Sequence, residues 1–496
     1  MSEPTFNLVD KGWIPVQGER DLQSLKQIFS RKELGRLSGN PVEKISVLRL
    51  LLALTQTAIT LPDRIAWQQL TLDDLADKVL VYLGKWHDRF DLYGSRPFMQ
   101  FPQLAQGKTT PFSAAQPYVA NRNNNKVILN SWNQETPTEP PGQAMALLRQ
   151  SFYACGGKKF DNDLVLSRDL GEKKPSGAPG VLTGFKGYLH TYLLGDTILG
   201  TIKNNLLTDE DIRQLPFSGL GQPCWEEMPD GEVSQRALDY KSSYLGQLMP
   251  LDKFVLLLEN GMVMTEGIPY ETYKTGLVDP ALTIFQGDKD VKTVWAETEK
   301  RPWRELTALL SFLKVDATHK SPHFLSMGLE KLSSTPNTVA RFWTGGMQLS
   351  NNAGEQYLSG MDDYVESEFH IPLTLSTRTG FDFFQKMISD LERYSKVAYA
   401  SVKSYFIALN NDQKDSYASM AAGRFWEAME PRAQIILDLA FAELPDREQK
   451  IEEEMKLWEE AVLHIYNHFC AKDTARQMTA WVKAAPNFST AKKRRK

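Results

Sequence analysis

FDFFQKMISDLERYSKVAYASVKSYF, residues 381–406, repeats apolar residues at three- and four-residue steps: Phe384, Met387, Ile388, Leu391, Tyr394, Ala398, Val402 and Tyr405. That spacing draws an apolar stripe along one side of a long helix beginning near Gly380. A second helix fits Ser416 to Met429. Pro431 suits the first position of a third, running to Leu444, because a residue there needs no N–H. The fourth spans Arg447 to Cys470 with Ile451, Met455, Trp458, Val462, Ile465 and Phe469 on one side, and Thr474 to Val482 closes the chain as a short helix. Amphipathic helices joined by short connections predict a four-helix bundle over residues 380–496.

Toward the N-terminus the pattern changes. Phe6 to Val16 reads as a strand or hairpin, Val42 to Thr57 as a helix, and Thr71 to Trp86 as a second helix with Thr71 as its cap and Asp73 and Asp74 in its first turn. Ala144 to Ala154 is helical, Phe254 to Leu258 and Leu282 to Phe285 are strands with turns at Asn260-Gly261 and Gln286-Gly287-Asp288, and Trp303 to Leu313 is a helix again. The fold class is therefore α+β: a large mixed N-terminal domain with short sheets and helices over residues 1–370, and the C-terminal four-helix bundle.

At 496 residues and 42% hydrophobic composition, a chain of this size buries roughly three-quarters of its unfolded surface, so no staple is required. Lys plus Arg is 57 against Asp plus Glu 61, which leaves nucleic acid only a local patch to bind. Patches of that kind are the tail KKRRK and the positions named below. Cys155, Cys224 and Cys470 are too scattered for a disulfide framework or a thiolate metal site. The start lacks a basic-then-apolar leader, and Val47 to Thr60 is broken by Arg49, Thr55 and Thr57, so a cytoplasmic protein without membrane contact is expected.

Two segments stand outside the core pattern. Residues 103–142 are polar and rich in Asn and Pro, too long for an ordinary loop, yet carry NNNKVILNSWN. There Val127, Ile128, Leu129 and Trp132 sit beside Asn130, Arg122 and Lys126, which suits either insertion into a partner or an edge strand folded on the body. SGAPGVLTGFKGYLH, residues 176–190, sets Gly177, Gly180, Gly184 and Gly187 around Lys186. Its spacing is neither a Walker loop nor a dinucleotide fingerprint, which leaves close backbone approach to a ligand or tight turns between strands.

Catalytic chemistry is sparse. His464 and His468 share a helix face without the Glu of HExxH, Pro322 argues against a helix through His319 and His323, and no nucleophile elbow follows a strand. Asp362-Asp363 and Glu452-Glu453-Glu454 read as solvated charge, the latter on an outer helix face. An enzyme of unknown class would have to unite residues such as His190, Asp196 and Glu266. A structural scaffold that uses the bundle for docking is the other alternative.

Gly12-Trp13-Ile14-Pro15-Val16, Arg96-Pro97-Phe98-Met99-Gln100, the glycine loop around Gly180 to Gly187, Gln222-Pro223-Cys224-Trp225, and a Gly345-Gly346 turn with polar residues after it precede the bundle in this order. Together they resemble the large-subunit (CasA) family of the type I-E CRISPR surveillance complex, Cascade. The resemblance implies a non-catalytic subunit without cofactor or metal that recognises the protospacer-adjacent motif in duplex DNA, starts strand separation and helps recruit the nuclease-helicase. Its implied partners are the CRISPR guide RNA, double-stranded target DNA, the Cascade backbone and small subunits, and the nuclease-helicase. Motif reading would fall to Gly177, Gly180, Gly184, Lys186 and Gly187, with Lys274 in PYETYKTG. The family's wedge is glutamine-tipped; laying Gly345-Gly346 on its Gly-Gly turn puts Asn351, one methylene shorter, at the tip, with Gln348 and Asn352 beside it. The loop bearing Arg122, Lys126, Val127, Ile128, Leu129, Asn130 and Trp132 would contact the guide or its complex.

Overall fold

The computed structural model describes residues 5–112, 139–157, 161, 163–167, 177–286, 289–298, 301–310, 319–320, 323–333, 338–352, 355–358, 363–373, 377–441 and 445–489. Arg122, Lys126, Val127, Ile128, Leu129, Asn130 and Trp132 lie outside the described residues. The chain divides into two units. One comprises Met1–Pro302, Asp316–Ser334 and Arg341–Glu368; the other comprises Trp303–Val315, Thr335–Ala340 and Phe369–Lys496.

The larger unit is built around the Pro41–Ala58 helix. Asn40 opens it with a capping box, its side chain accepting from Glu43 N while the Glu43 carboxylate accepts from Asn40 N. Nearly every side chain from Val42 to Gln56 is buried, Arg49 included. The Leu72–Lys85 helix begins at Thr71, whose hydroxyl accepts from Asp74 N at 3.0 Å, and buries Leu75, Ala76, Val79 and Leu83 on one side. Helices Pro140–Tyr153 and Ile198–Asn205 also pack on the central helix.

Short antiparallel sheets complete this unit. Lys253–Leu258 and Gly261–Glu266 form the hairpin expected at Asn260-Gly261, with Leu258 opposite Gly261. Leu189–Leu194 pairs antiparallel with Val339–Met347, from Leu189 opposite Gly346 to Leu194 opposite Arg341. Tyr364–Pro372 adds a further strand in the order Tyr364–Pro372, Val339–Met347, Leu189–Leu194. Ser350–Asn352 and Glu355–Tyr357 make a separate two-stranded hairpin.

Some elements differ from expectation. Phe6 to Val16 makes isolated bridges, such as Ile14 with Gln23 and Val16 with Leu37, in place of a hairpin of its own. The helix begun at Trp303 is a 3-10 turn, Pro302–Glu305, followed by Leu306–Leu309. Gly345 and Gly346 are not a turn: both lie inside the Val339–Met347 strand, opposite His190 and Leu189. Their missing side chains serve close packing, because a Cβ on Gly345 would press on the Trp343 ring and one on Gly346 on the Tyr188 carbonyl.

In the second unit the long helix is Thr377–Ala408, and its stripe is buried as its spacing requires, with Phe384, Leu391, Tyr394, Ala398, Val402 and Tyr405 almost fully enclosed. Lys414–Met429, Ala433–Phe441 and Arg447–Phe469 pack against it, and Ala475–Lys483 follows. Pro431 falls in a 3-10 turn, Glu430–Arg432, ahead of the third helix. Trp303 also belongs to this unit: it lies 5.7 Å from Trp426 and its Nε1 donates to Glu430 at 2.9 Å. Glu454, read as outer-face charge, instead turns inward to accept a forked pair of bonds from Arg432. Two parallel N–H donors explain how a carboxylate is tolerated there.

Candidate functional site

The glycine loop, residues 177–187, leads into the Leu189–Leu194 strand of the larger unit. Its first limb hangs on two carboxylates. Ala178 N donates to Glu266 Oε1 at 2.9 Å and Val181 N to Asp252 Oδ2 at 2.8 Å. Both acids lean on Lys253, which is buried with its Nζ 2.7 Å from Glu266 and 3.4 Å from Asp252. Burial pushes the Asp252 carboxyl up to about 6, against the pull of Lys253 and of the Val181 N–H.

A folded-state pKa above the unfolded value of 3.8 means that Asp252 favours folding most at low pH. That contribution is present in full below about pH 4 and is lost as pH rises through about 6. Relative to Asp252→Asn, the parent should therefore lose roughly 2–3 kcal/mol of stability between those limits, an upper figure for a shift of about two pH units. Urea unfolding of both proteins across about pH 4 to 7 checks this; parallel profiles would refute it.

The loop's apex is fixed by a residue with no signal in the sequence. Gln356, on the second strand of the Ser350–Tyr357 hairpin, is buried, and its Nε2 donates to Gly184 O at 3.0 Å and Phe185 O at 2.8 Å. Its Oε1 accepts from Gly156 N at 2.9 Å, and its own N–H donates to Gly156 O at 3.1 Å. Leu349 N donates to Lys186 O at 3.0 Å, and Ala296 N to Gly187 O at 2.8 Å. Gly184 and Gly187 take φ values of +63° and +89°, left-handed backbone that an L side chain resists. A Cβ on Gly184 would also stand 2.5 Å from the Tyr188 ring, and one on Gly187 would overlap the Met347 carbonyl oxygen. Gly177 and Gly180 are similarly enclosed by Gly157 and Ala154.

Lys274 comes to the same place through aromatic contacts. Its Nζ lies 5.8 Å from the Tyr273 ring centre. Tyr273 meets Tyr188 edge-on at 6.1 Å, and Trp295 stacks on Tyr188 at 4.9 Å. Tyr188 is the ring against which Gly184 packs, so the glycine loop and Lys274 meet at one aromatic cluster, while the hairpin joins the loop through Gln356. Lys186 and Lys274 are both exposed.

Within the hairpin, Asn352 pairs with Glu355 and Asn351 with Gln356. Asn351 thus sits one pair back from the last described pair, Asn352 with Glu355, and residues 353–354 lie outside the described residues. Gln348 is committed elsewhere: its Oε1 accepts from Thr298 N at 2.6 Å and Thr298 Oγ1 at 2.9 Å, and its N–H donates to Asp363 O.

The residues offered for an enzyme do not converge. His190 is buried against Leu182 O and Tyr153 Oη, and burial together with Arg49 drives its pKa down to about 3. Asp196 pairs with Arg341 at the surface, and Glu266 with Lys253. Among the described residues no group of three or more His, Cys, Asp or Glu stands where it could hold a metal ion. The three cysteines are free and buried. No described helix is long and apolar enough to cross a membrane.

The chain is similar to known proteins along most of its length. A family model described as CRISPR-associated protein Cse1 matches residues 7–467. CasA/Cse1 of Thermus thermophilus is 29% identical over 239 residues, a stretch covering 45% of this chain and 42% of that protein. The crystal structure of Thermobifida fusca Cse1 superposes with a TM-score of 0.76 at 16% identity, covering 97% of this chain and 96% of that one. A chain from a structure described as a CRISPR RNA-guided surveillance complex superposes with a TM-score of 0.68 at 16% identity, covering 97% of this chain and 99% of that one. With the family model accounting for residues 7–467, the chain belongs to the CRISPR-associated Cse1 family.

Proposed function

We propose that this chain is the non-catalytic large subunit of an RNA-guided DNA surveillance complex, in which it reads the short motif beside the target in duplex DNA and begins strand separation. The observation that carries this reading is the Gln356 bridge, which joins the glycine loop to the hairpin, with Lys274 linked to the same loop through Tyr273 and Tyr188. Motif contact and strand opening have to act at adjacent base pairs, and a side chain shared between the two elements couples them. The minor groove presents acceptors and the guanine amino group, so a loop and a lysine suffice for modest discrimination without a recognition helix. Guide pairing supplies the energy of hybrid growth, which leaves the protein only the first opening step.

Lys274 reads the groove with the glycine loop, Lys186 adds a phosphate contact, and Asn351 and Asn352 serve as the opening element. Gln348 holds the entry to the hairpin through Thr298. The segment with Arg122, Lys126, Val127, Ile128, Leu129, Asn130 and Trp132 contacts the guide RNA or the neighbouring backbone subunits, and the helical unit serves the small subunits and the nuclease-helicase. Asn351→Ala with Asn352→Ala should slow hybrid formation on fully paired duplex roughly tenfold, one part of a step costing a few kcal/mol. A premelted bubble beside the motif should restore the parent rate. Stopped-flow measurement of hybrid growth on matched targets decides it: an equal lag on both removes the hairpin from strand opening.

A further inference from the structure

All four carbonyls from Gly184 to Gly187 accept hydrogen bonds from within the fold: two from Gln356 Nε2, one from Leu349 N and one from Ala296 N. The loop therefore turns its carbonyl side inward. Its glycines are likewise occupied by internal packing, against Gly157, Ala154, Tyr188 and Met347. What the apex shows to solvent is Phe185, with 59% of its surface exposed, and the exposed Lys186 after it. Exposed apolar side chains are common singly, but this one stands on a backbone hydrogen-bonded at each successive carbonyl, next to one cation and above the aromatic cluster that carries another, Lys274. A large side chain on a backbone already ordered gives up little freedom on contact with a ligand. Lysines beside it suit the phosphates that border a groove.

We infer that Phe185 is an apolar probe that enters a base step of the motif from the minor groove and partly unstacks it, the glycines serving to build its mount. Insertion of an apolar wedge between base steps is an established way for groove-binding proteins to deform a duplex. The inference rests on the site assignment proposed above and adds to it the residue that touches the bases.

The test uses the full chain in its assembled complex and a duplex carrying the motif, with 2-aminopurine in the first adjoining pair and no complementarity to the guide beyond it. The parent should brighten the probe on binding. Phe185→Ala should abolish the brightening and weaken duplex binding about ten- to a hundredfold, the range of one lost aromatic–base contact. Its salt slope should stay that of the parent, since no charge is removed, whereas Lys186→Ala should lower the slope by about one and keep the brightening. Phe185→Trp should retain both signals. Binding of a complementary single strand should be unchanged in each variant.

Parent-like brightening and affinity in Phe185→Ala, while Lys274→Ala and the Asn351/Asn352 double variant are impaired, overturns the inference and leaves the site assignment standing. Parent-like behaviour in all of them overturns both. Failure of Phe185→Ala to enter the complex, or an equal loss on single-stranded target, marks the side chain as a protein contact and also overturns it.

Discussion

Replacing Asp279 by alanine should destabilise the larger unit by about 3–5 kcal/mol, the usual cost of stranding one member of a buried ion pair. Arg49 and Asp279 are both without solvent exposure, 2.6 Å apart between Nη2 and Oδ2. Arg49 Nη1 also donates to Leu248 O at 2.9 Å, and Asp279 Oδ1 accepts from Ala281 N at 2.9 Å. Ala281 O in turn accepts from Thr191 N, so the acid ties the central helix to the strand that follows the glycine loop. Alanine would leave a buried guanidinium without a counter-charge, its remaining neighbours being the Leu248 carbonyl and the Tyr153 and Tyr192 hydroxyls. Arg49→Met alone should cost less, because the stranded group is then a carboxylate that can take up a proton. The double variant should recover part of the Asp279→Ala loss, since replacing both charges removes the desolvation penalty with the attraction. Denaturant unfolding of the three variants, with hydrogen exchange over Pro41–Ala58 as the local probe, gives the comparison. A double variant as unstable as the two single losses added together would show that the pair is not the coupled unit.

The same pair shows where sequence reading reaches its limit. Arg49 interrupts the apolar run from Val47, and nothing local says whether such a break faces water or a partner 230 residues away. Helix spans depend on neighbours in sequence, so they were legible: Thr71 caps its helix, and the stripe from Phe384 to Tyr405 is the buried side of Thr377–Ala408. Gly345-Gly346 was not legible, because paired glycines serve a turn and a crowded strand equally well, and only the Leu189–Leu194 neighbour distinguishes them. Lys274 and the glycine loop could be singled out by resemblance, but their meeting depends on Tyr188, Tyr273 and Trp295, separated along the chain and ordinary as letters. Gln356 gave no signal at all. A lone glutamine reads as surface, and its three side-chain bonds go to backbone groups far away in the chain.

Gln356→Ala should accordingly undo the candidate site without unfolding the unit around it. The substitution removes two donors from Gly184 O and Phe185 O and one acceptor from Gly156 N, and leaving a buried group unsatisfied costs about 1–3 kcal/mol. Water entering the vacated space would satisfy some of these groups, so a local loss of roughly 2–4 kcal/mol is expected in place of the full sum. The carboxylates holding Ala178 and Val181 are untouched, which confines the damage to the apex. Gln356→Glu separates the two roles: it keeps an acceptor for Gly156 N but sets a negative oxygen against two carbonyls, and should be at least as disruptive as alanine. Amide exchange should accelerate about thirtyfold or more at Gly156 and at Tyr188, whose N–H spans the apex to Thr183 O, and stay unchanged in the Pro41–Ala58 helix. Because the mount of Phe185 and Lys186 would loosen with it, duplex binding should fall in parallel with the exchange rates, while binding of a complementary single strand persists. Exchange at these amides no faster than in the parent would mean that the loop is held by its glycines and its acidic limb alone, and the hairpin would then have no mechanical connection to the loop through this side chain.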